Sequence, residues 1–158
     1  MERTVATLGE LDAEAARFLR DLAPHEAGAT LITLSGELGA GKTAFVKAVA
    51  QVLGVGEMVT SPTFVLEKIY SVKPLRDHGA GDLPRATVGG FTRLVHIDAY
   101  RLEAGADVAS LGFDELMKDS GNLILLEWPE RVADALPPVT ATLTLSANPN
   151  GSHTISYG

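Results

Sequence analysis

The sequence predicts an α/β domain of three layers, in which helices cover both faces of a mostly parallel β-sheet. Extended apolar segments alternate along the chain with segments of helical period, as in a parallel sheet joined by helices. Four consecutive aliphatic residues, Leu123 to Leu126, are typical of a strand buried on both faces. Two extended segments around Asn150-Gly151 predict a C-terminal antiparallel β-hairpin.

The first predicted element is a short amphipathic helix. Thr7 and Glu10 have the spacing of a helix capping box, in which each side chain accepts a backbone N–H group of the first turn. Apolar residues then recur at helical spacing as far as Pro24, which ends the run. These apolar positions are Leu11, Ala15, Phe18 and Leu22.

A strand, a glycine-rich turn and a second helix follow. The segment from Thr30 to Ser35 (TLITLS) is apolar and rich in β-branched residues, which favours a strand. From Lys42 the apolar residues return to helical spacing, and Gly54 is placed to end the helix. We therefore expect the glycine-rich turn to open directly into the second helix.

Three more extended stretches and one helix are predicted before the hairpin. The stretches run from Thr60 to Tyr70, from Arg93 to Ala99 and from Asn122 to Glu127. The segment from Asp107 to Lys118 has the spacing of a helix, with a bend at Gly112. Its inward residues are expected to be Val108, Leu111 and Leu116.

The segment from Val72 to Gly90 is rich in Gly and Pro and shows no sustained period, so we expect a mobile loop. Its neighbourhood has a local excess of basic residues. These are Lys73, Arg76, Arg85 and Arg93. A solvated loop and a contact with RNA or a partner protein are the two interpretations.

Composition limits the classes of protein. The chain has 158 residues, which fits one domain spanning 1–158, with 46% hydrophobic and 21% charged residues as in ordinary globular proteins. It has no cysteine, which excludes disulfides and thiolate metal sites. No apolar run approaches the roughly 20 residues that cross a bilayer, so we expect a cytoplasmic protein without a membrane partner. A net charge of −7 argues against tight independent binding of nucleic acid.

The turn after the Thr30–Ser35 strand contains a complete phosphate-binding motif. Residues 36–43 (GELGAGKT) match G-x-x-x-x-G-K-[ST] between a predicted strand and a predicted helix, which is the context that the motif requires. Glycines let backbone N–H groups surround phosphate oxygens, Lys42 reaches the phosphates, and the Thr43 hydroxyl binds Mg²⁺. The sequence thus predicts a P-loop NTPase-like fold that binds ATP with Mg²⁺. The expected nucleotide contacts here are Gly36, Glu37, Leu38, Gly39, Ala40, Gly41, Lys42, Thr43 and Ala44.

A P-loop site needs a nearby acid to hold Mg²⁺ or to position the attacking water. Glu127 follows the aliphatic run and Asp98 ends another predicted strand, so both are expected at the carboxyl edge of the sheet. We assign Glu127 to Mg²⁺ coordination, direct or through water, and Asp98 to ordering the metal shell or the water. The two assignments can be exchanged. With Lys42 these acids form the predicted catalytic set; the alternative for either acid is a salt bridge with Arg101 or Arg131.

Two further features have two interpretations each. Ser61-Pro62-Thr63 lies at a strand entry, where its hydroxyls either form a turn or face a γ-phosphate. Trp128, the only tryptophan, directly follows Glu127 and is either a core residue or an aromatic wall beside the nucleotide.

Four motifs, taken in order, resemble those of the TsaE family. They are GELGAGKT at 36–43, SPTF at 61–64, HIDAYRL at 96–102 and EWPER at 127–131, and the resemblance extends from about Thr7 to the C-terminal hairpin. This family is the ATPase subunit of the bacterial machinery that installs threonylcarbamoyladenosine on tRNA. The resemblance implies an ATP- and Mg²⁺-binding ATPase, weak alone, that acts with the proteins TsaB and TsaD and meets tRNA through their complex.

The resemblance also implies roles for individual residues. The metal ligands it implies are Thr43 and Glu127, with Asp98 as the motif aspartate. The residues it places near the nucleotide, besides the P-loop, are Thr63 of the hydroxyl motif, Trp128, and Thr7 and Leu8 near the adenine.

Two other functions are rival hypotheses. A kinase that phosphorylates a small-molecule acceptor would share the P-loop and the parallel sheet, with the basic segment 73–93 as a lid, but no acceptor-binding region is evident. A regulatory GTPase is disfavoured, because the chain has no Asn-Lys-x-Asp stretch to read guanine. We therefore expect ATP to be preferred over GTP.

Overall fold

The computed structural model describes residues 1–60, 66–72 and 90–158, and within them a seven-stranded sheet lies between two layers of helices. The strands are β1 Glu2–Val5, β2 Thr30–Ser35, β3 Glu67–Ser71, β4 Arg93–Asp98, β5 Asn122–Glu127, β6 Ala141–Ala147 and β7 His153–Tyr157. The helices are α1 Leu8–Arg20, α2 Lys42–Leu53, α3 Gly105–Ala109 and α4 Phe113–Leu116, and two short 3₁₀ turns are Pro129–Arg131 and Ala133–Ala135.

The sheet is mixed, with a parallel centre and antiparallel edges. Its strand order is β1-β7-β6-β2-β5-β4-β3. The strands β6, β2, β5 and β4 run parallel to one another, whereas β7 pairs antiparallel with β6 and β3 pairs antiparallel with β4. The predicted α/β fold, including the C-terminal hairpin of β6 and β7, is confirmed.

The edge strand β1 was not expected from the sequence. It pairs antiparallel with β7, so that Val5 lies opposite His153. Of its four residues only Val5 is buried, and an edge strand this short carries no alternation that a pattern search can find. The C-terminal hairpin is therefore covered on its outer side rather than lying at the edge of the sheet.

The predicted caps explain where α1 and α2 begin and end. The Thr7 hydroxyl accepts the backbone N–H of Glu10 at 3.1 Å, and the Glu10 carboxylate accepts the N–H of Ala6 at 2.6 Å, one residue before the usual capping-box partner. The helix α1 ends at Arg20, ahead of Pro24. Gly54 has a φ of 80° and closes α2 in the left-handed conformation that glycine favours.

The prediction of a single bent helix between Asp107 and Lys118 was wrong. The segment forms α3 and α4, separated at Gly112, whose φ of 75° interrupts the helical hydrogen bonding. Val108 and Leu116 are buried as expected, and Leu111 is half-buried against the same core.

Two other predicted segments lie partly outside the described residues. In the stretch from Thr60 to Tyr70 the strand begins only at Glu67, and residues 61–65 are not described. The predicted loop between Val72 and Gly90 is described at these two end residues only.

A hydrophobic core lies on each face of the sheet. The helices α1 and α2 pack on one face, where the Phe18 and Phe45 rings meet edge to face with centroids 5.8 Å apart. The helices α3 and α4 cover the other face, against Val95, Ile97 and their neighbours on β5. Side chains alternate between the two faces along a strand. Every second residue of β4 and β5 therefore faces α1 and α2, and Asp98 and Glu127 are among these residues.

Candidate active site

The carboxyl ends of β2, β4 and β5 meet at one edge of the sheet. Glu127 is paired across the sheet with Leu34 on one side and with Asp98 on the other. Both carboxylates are buried. The structure thus brings together the two acids that the sequence placed at this edge, directly beside the loop that leaves β2.

The P-loop, residues 36–43, needs its glycines for conformation and for space. Gly36, Gly39 and Gly41 have φ values of 146°, 81° and 103°, which residues with a side chain rarely adopt. A Cβ atom at Gly36 would also lie 2.3 Å from the carbonyl oxygen of Leu145. The loop therefore runs against β6 at a distance that only glycine permits, and it enters α2 where the N–H of Phe45 donates to the Gly41 carbonyl at 2.9 Å.

Lys42 is buried within this loop. Its ammonium group donates to the backbone carbonyls of Gly36 and of Glu37, the latter at 2.9 Å, and lies 4.3 Å from the centre of the Trp128 ring. Burial lowers the pKa of Lys42, while the negative charges of Glu127 and Asp98 act in the opposite direction. A phosphate beside this amine would stabilise its charged form.

Thr43 and Glu127 face each other across the loop. The Thr43 hydroxyl lies 3.5 and 3.4 Å from the two carboxylate oxygens of Glu127. Mg²⁺ in nucleotide sites usually keeps several waters and takes one or two protein ligands besides phosphate oxygens. The chemistry of this hydroxyl and carboxylate, the latter buried at the end of a strand, fits such an ion. No group of three or more His, Asp or Glu side chains arranged for a metal is found within the described ranges.

His96 is a site residue that the sequence analysis missed. It is fully buried on β4, and its Nε2 donates to the Oε2 of Glu127 at 2.5 Å. In the parallel register His96 lies opposite Leu125, which is two residues before Glu127. The side chains of His96 and Glu127 therefore lie on the same face of the sheet. The signal was present in the spacing of His96 and Asp98, which puts both on the face that carries Glu127. The sequence analysis considered arginines as partners of Glu127 and did not consider this histidine.

Trp128 lines the cleft beside Lys42. It adopts a left-handed backbone with a φ of 60°, which is uncommon for a bulky residue. Its ring is half-buried against the core of α3 and α4, and it contacts the Tyr100 ring with centroids 5.0 Å apart. Trp128 therefore packs on the core and also lies over Lys42.

Asp98 is held at the same edge by the chain that follows it. Its carboxylate accepts the N–H of Tyr100 at 3.0 Å, and the N–H of Ala99 donates to the Glu127 carbonyl at 3.0 Å. The turn after β4 thereby fixes Asp98 beside Glu127.

These residues enclose a cleft of about 500 Å³, and a smaller apolar cavity of about 180 Å³ adjoins it. The cleft is lined by Leu38, Gly39, Gly41, Lys42, Thr43, Ala44, Asp98, Tyr100, Glu127, Trp128 and His153. The cavity is bounded by Thr7 and Leu8, the residues expected near the adenine, and by Leu11. The C-terminal hairpin adds Leu145, Gly151, His153 and Ile155 to its wall, which sequence reasoning did not foresee.

Some predicted residues are not placed by the structure. Ser61, Pro62 and Thr63 lie outside the described residues, as do Lys73, Arg76 and Arg85 of the basic segment. Arg93 is described, and it donates to Asn122 at 2.8 Å and to Asp119 at 2.9 Å, away from the cleft.

None of the helices in the described part of the chain combines the length and the apolar character needed to cross a membrane.

Comparison with known proteins gives a consistent family. The profile of the family described as "Threonylcarbamoyl adenosine biosynthesis protein TsaE" matches residues 8–155. A Treponema pallidum protein named "tRNA threonylcarbamoyladenosine biosynthesis protein TsaE" is 38% identical over 127 residues, which cover 80% of this chain and 80% of that protein. A Streptomyces coelicolor protein of the same name is 38% identical over 107 residues, 67% of this chain and 61% of its own length.

The solved structures agree with this result. The crystal structure of YdiB from Bacillus subtilis superposes with a TM-score of 0.69 at 25% sequence identity, and the match covers 99% of this chain and 83% of that one. The family profile covers all four motifs together with the strands and helices that position them. The chain therefore belongs to the TsaE family of tRNA threonylcarbamoyladenosine biosynthesis proteins.

Proposed function

We propose that this protein binds ATP and Mg²⁺ and hydrolyses ATP. We propose that it acts on a TsaB–TsaD complex in the formation of threonylcarbamoyladenosine at position 37 of tRNA. The proposal rests on one observation: a complete P-loop lies beside a buried carboxylate, and the Thr43 hydroxyl is 3.4 Å from Oε2 of Glu127. A hydroxyl and a carboxylate so placed are the protein ligands that a nucleotide-bound Mg²⁺ uses.

The shape of the site supports a nucleoside triphosphate as the ligand. The apolar cavity beside Thr7 and Leu8 suits a base, and the larger cleft beside Lys42 suits a chain of phosphates. The two adjoin along the P-loop, so one ligand with an apolar end and a charged end can occupy both. In this assignment the loop N–H groups and the N-terminus of α2 bind phosphate oxygens.

In this proposal each residue of the site has its own role in ATP hydrolysis. Lys42 neutralises phosphate charge, Thr43 and Glu127 hold Mg²⁺, and Asp98 orients the metal shell or the attacking water. Bound Mg²⁺ supplies charge that stabilises the oxygens of the transferring phosphate. The rings of Trp128 and Tyr100 contact each other and line the cleft at this edge.

An assay of ATP hydrolysis with and without the partner proteins tests the proposed action on the TsaB–TsaD complex. We expect slow ATP hydrolysis by the protein alone, and a marked rise when purified TsaB and TsaD from the same source are added with tRNA and threonylcarbamoyl-adenylate. The hydrolysis by TsaB and TsaD without this protein is the blank.

An unchanged rate with the partners would contradict the proposed role in their complex. If phosphate moved instead to a small acceptor present in the assay, the kinase hypothesis would replace the ATPase hypothesis.

A further inference from the structure

His153, the first residue of β7, contacts the P-loop from the C-terminal hairpin. Its Nδ1 lies 2.9 Å from the carbonyl oxygen of Ala40. Since a carbonyl only accepts, Nδ1 carries the hydrogen of this bond. The second ring nitrogen, Nε2, has no hydrogen-bond partner among residues 1–60, 66–72 and 90–158.

The ring lies at the boundary between the two cavities. Gly41, Ala44 and His153 line both the phosphate cleft and the apolar cavity, and of these three His153 alone has a polar side chain. A Cβ atom at Gly41 would lie 3.4 Å from Nδ1, so the ring packs directly against the backbone that leads into α2. His153 is half-buried, which leaves part of its ring open to a ligand.

A nucleotide that fills both cavities places its sugar and α-phosphate at their boundary. The free Nε2 can accept from a sugar hydroxyl in the neutral ring, or donate to a phosphate oxygen in the charged ring. Either contact would fix the position of the sugar and the α-phosphate between the apolar cavity and Lys42.

We propose that His153 is a nucleotide-positioning residue that contacts the bound nucleotide where its sugar joins the α-phosphate, while its other nitrogen holds the P-loop at Ala40. This inference rests on the proposed binding of ATP. It differs from a simple brace, in which the bond to Ala40 is the whole contribution of the residue.

Two substitutions separate these roles. In His153→Asn the side-chain amide can keep an N–H donor near the position of Nδ1, but no group reaches the position of Nε2. In His153→Gln the longer side chain carries the amide to the position of Nε2, and no donor is left at the position of Nδ1. His25→Ala is the matched control, since His25 also makes one side-chain hydrogen bond, to Thr140 at 2.9 Å, but lies away from both cavities.

The experiment is calorimetric titration of each variant with ATP and Mg²⁺, accompanied by the melting temperature of each variant. We expect His153→Asn to bind ATP about 10-fold more weakly than the wild type, as for the loss of one hydrogen bond to a charged or strongly polar group. We expect His153→Gln to recover part of that loss, and His25→Ala to bind like the wild type.

Wild-type affinity in His153→Asn, with weakened binding in His153→Gln, would overturn the proposal and leave the residue as a brace of the loop. Equal weakening in both variants with a lowered melting temperature would overturn it as well. If the wild-type protein itself did not bind ATP, the proposed function would fail and this inference with it, and that outcome is distinguished by the wild-type titration.

Discussion

Replacement of Lys42 with alanine is expected to reduce ATP turnover by about 10²-fold to 10³-fold, the range seen when one preorganised donor to a transition state is removed. The ammonium group is buried among the carbonyls of Gly36 and Glu37 and the ring of Trp128, so it is fixed at the start of α2 before any phosphate arrives. Alanine leaves that position without a positive charge, and water cannot replace it in the same geometry.

The matched control is Lys47→Ala, which removes an exposed lysine from the same helix. The measurement is the release of phosphate at saturating ATP and Mg²⁺, with the fold of each variant checked by circular dichroism. Turnover of the Lys42 variant at the level of the Lys47 control would remove Lys42 from the phosphate site.

Replacement of Glu127 with glutamine is expected to have an effect of similar size, about 10²-fold to 10³-fold on turnover, because the negative charge proposed to hold Mg²⁺ is lost while the size of the side chain is kept. The carboxylate is buried between the Thr43 hydroxyl and Nε2 of His96. We also expect the Mg²⁺ concentration for half-maximal rate to rise, since the ion would keep Thr43 as its ligand but lose Glu127.

The control for this change is Glu115→Gln, at an exposed position on α4 that pairs with Lys118. The measurement is the initial rate across a series of Mg²⁺ concentrations. An unchanged dependence on Mg²⁺ together with a lowered rate would assign Glu127 to the water rather than to the metal, and full activity would exclude both roles.

The P-loop and the edge where it meets the two acids were predictable from the sequence. The motif at 36–43 is specific, and the strands that end in Asp98 and Glu127 are mostly aliphatic segments whose carboxyl ends must meet if they lie parallel in one sheet. What the pattern cannot supply is the register. Only the pairing of β4 with β5 shows that His96 reaches Glu127.

Contacts between distant parts of the chain were beyond the sequence analysis. Ala40 and His153 are 113 positions apart, and they meet because the hairpin places β7 two strands away from β2. The strand β1 escaped prediction because it is short, lies at the edge and buries only Val5. The break near Gly112 was foreseen as a bend, but α3 already ends at Ala109, and Gly112, in a left-handed conformation, is the N-cap of α4.

Calorimetric titration of the wild-type protein shows whether the cleft at the P-loop binds ATP with Mg²⁺. ATP and GTP are titrated separately, each in the presence of Mg²⁺ and again with the metal removed by chelator. We expect ATP to bind more tightly than GTP and to bind more weakly when Mg²⁺ is removed. No measurable binding of ATP would contradict the proposed function, and equal affinity for the two nucleotides would contradict the expected preference for ATP.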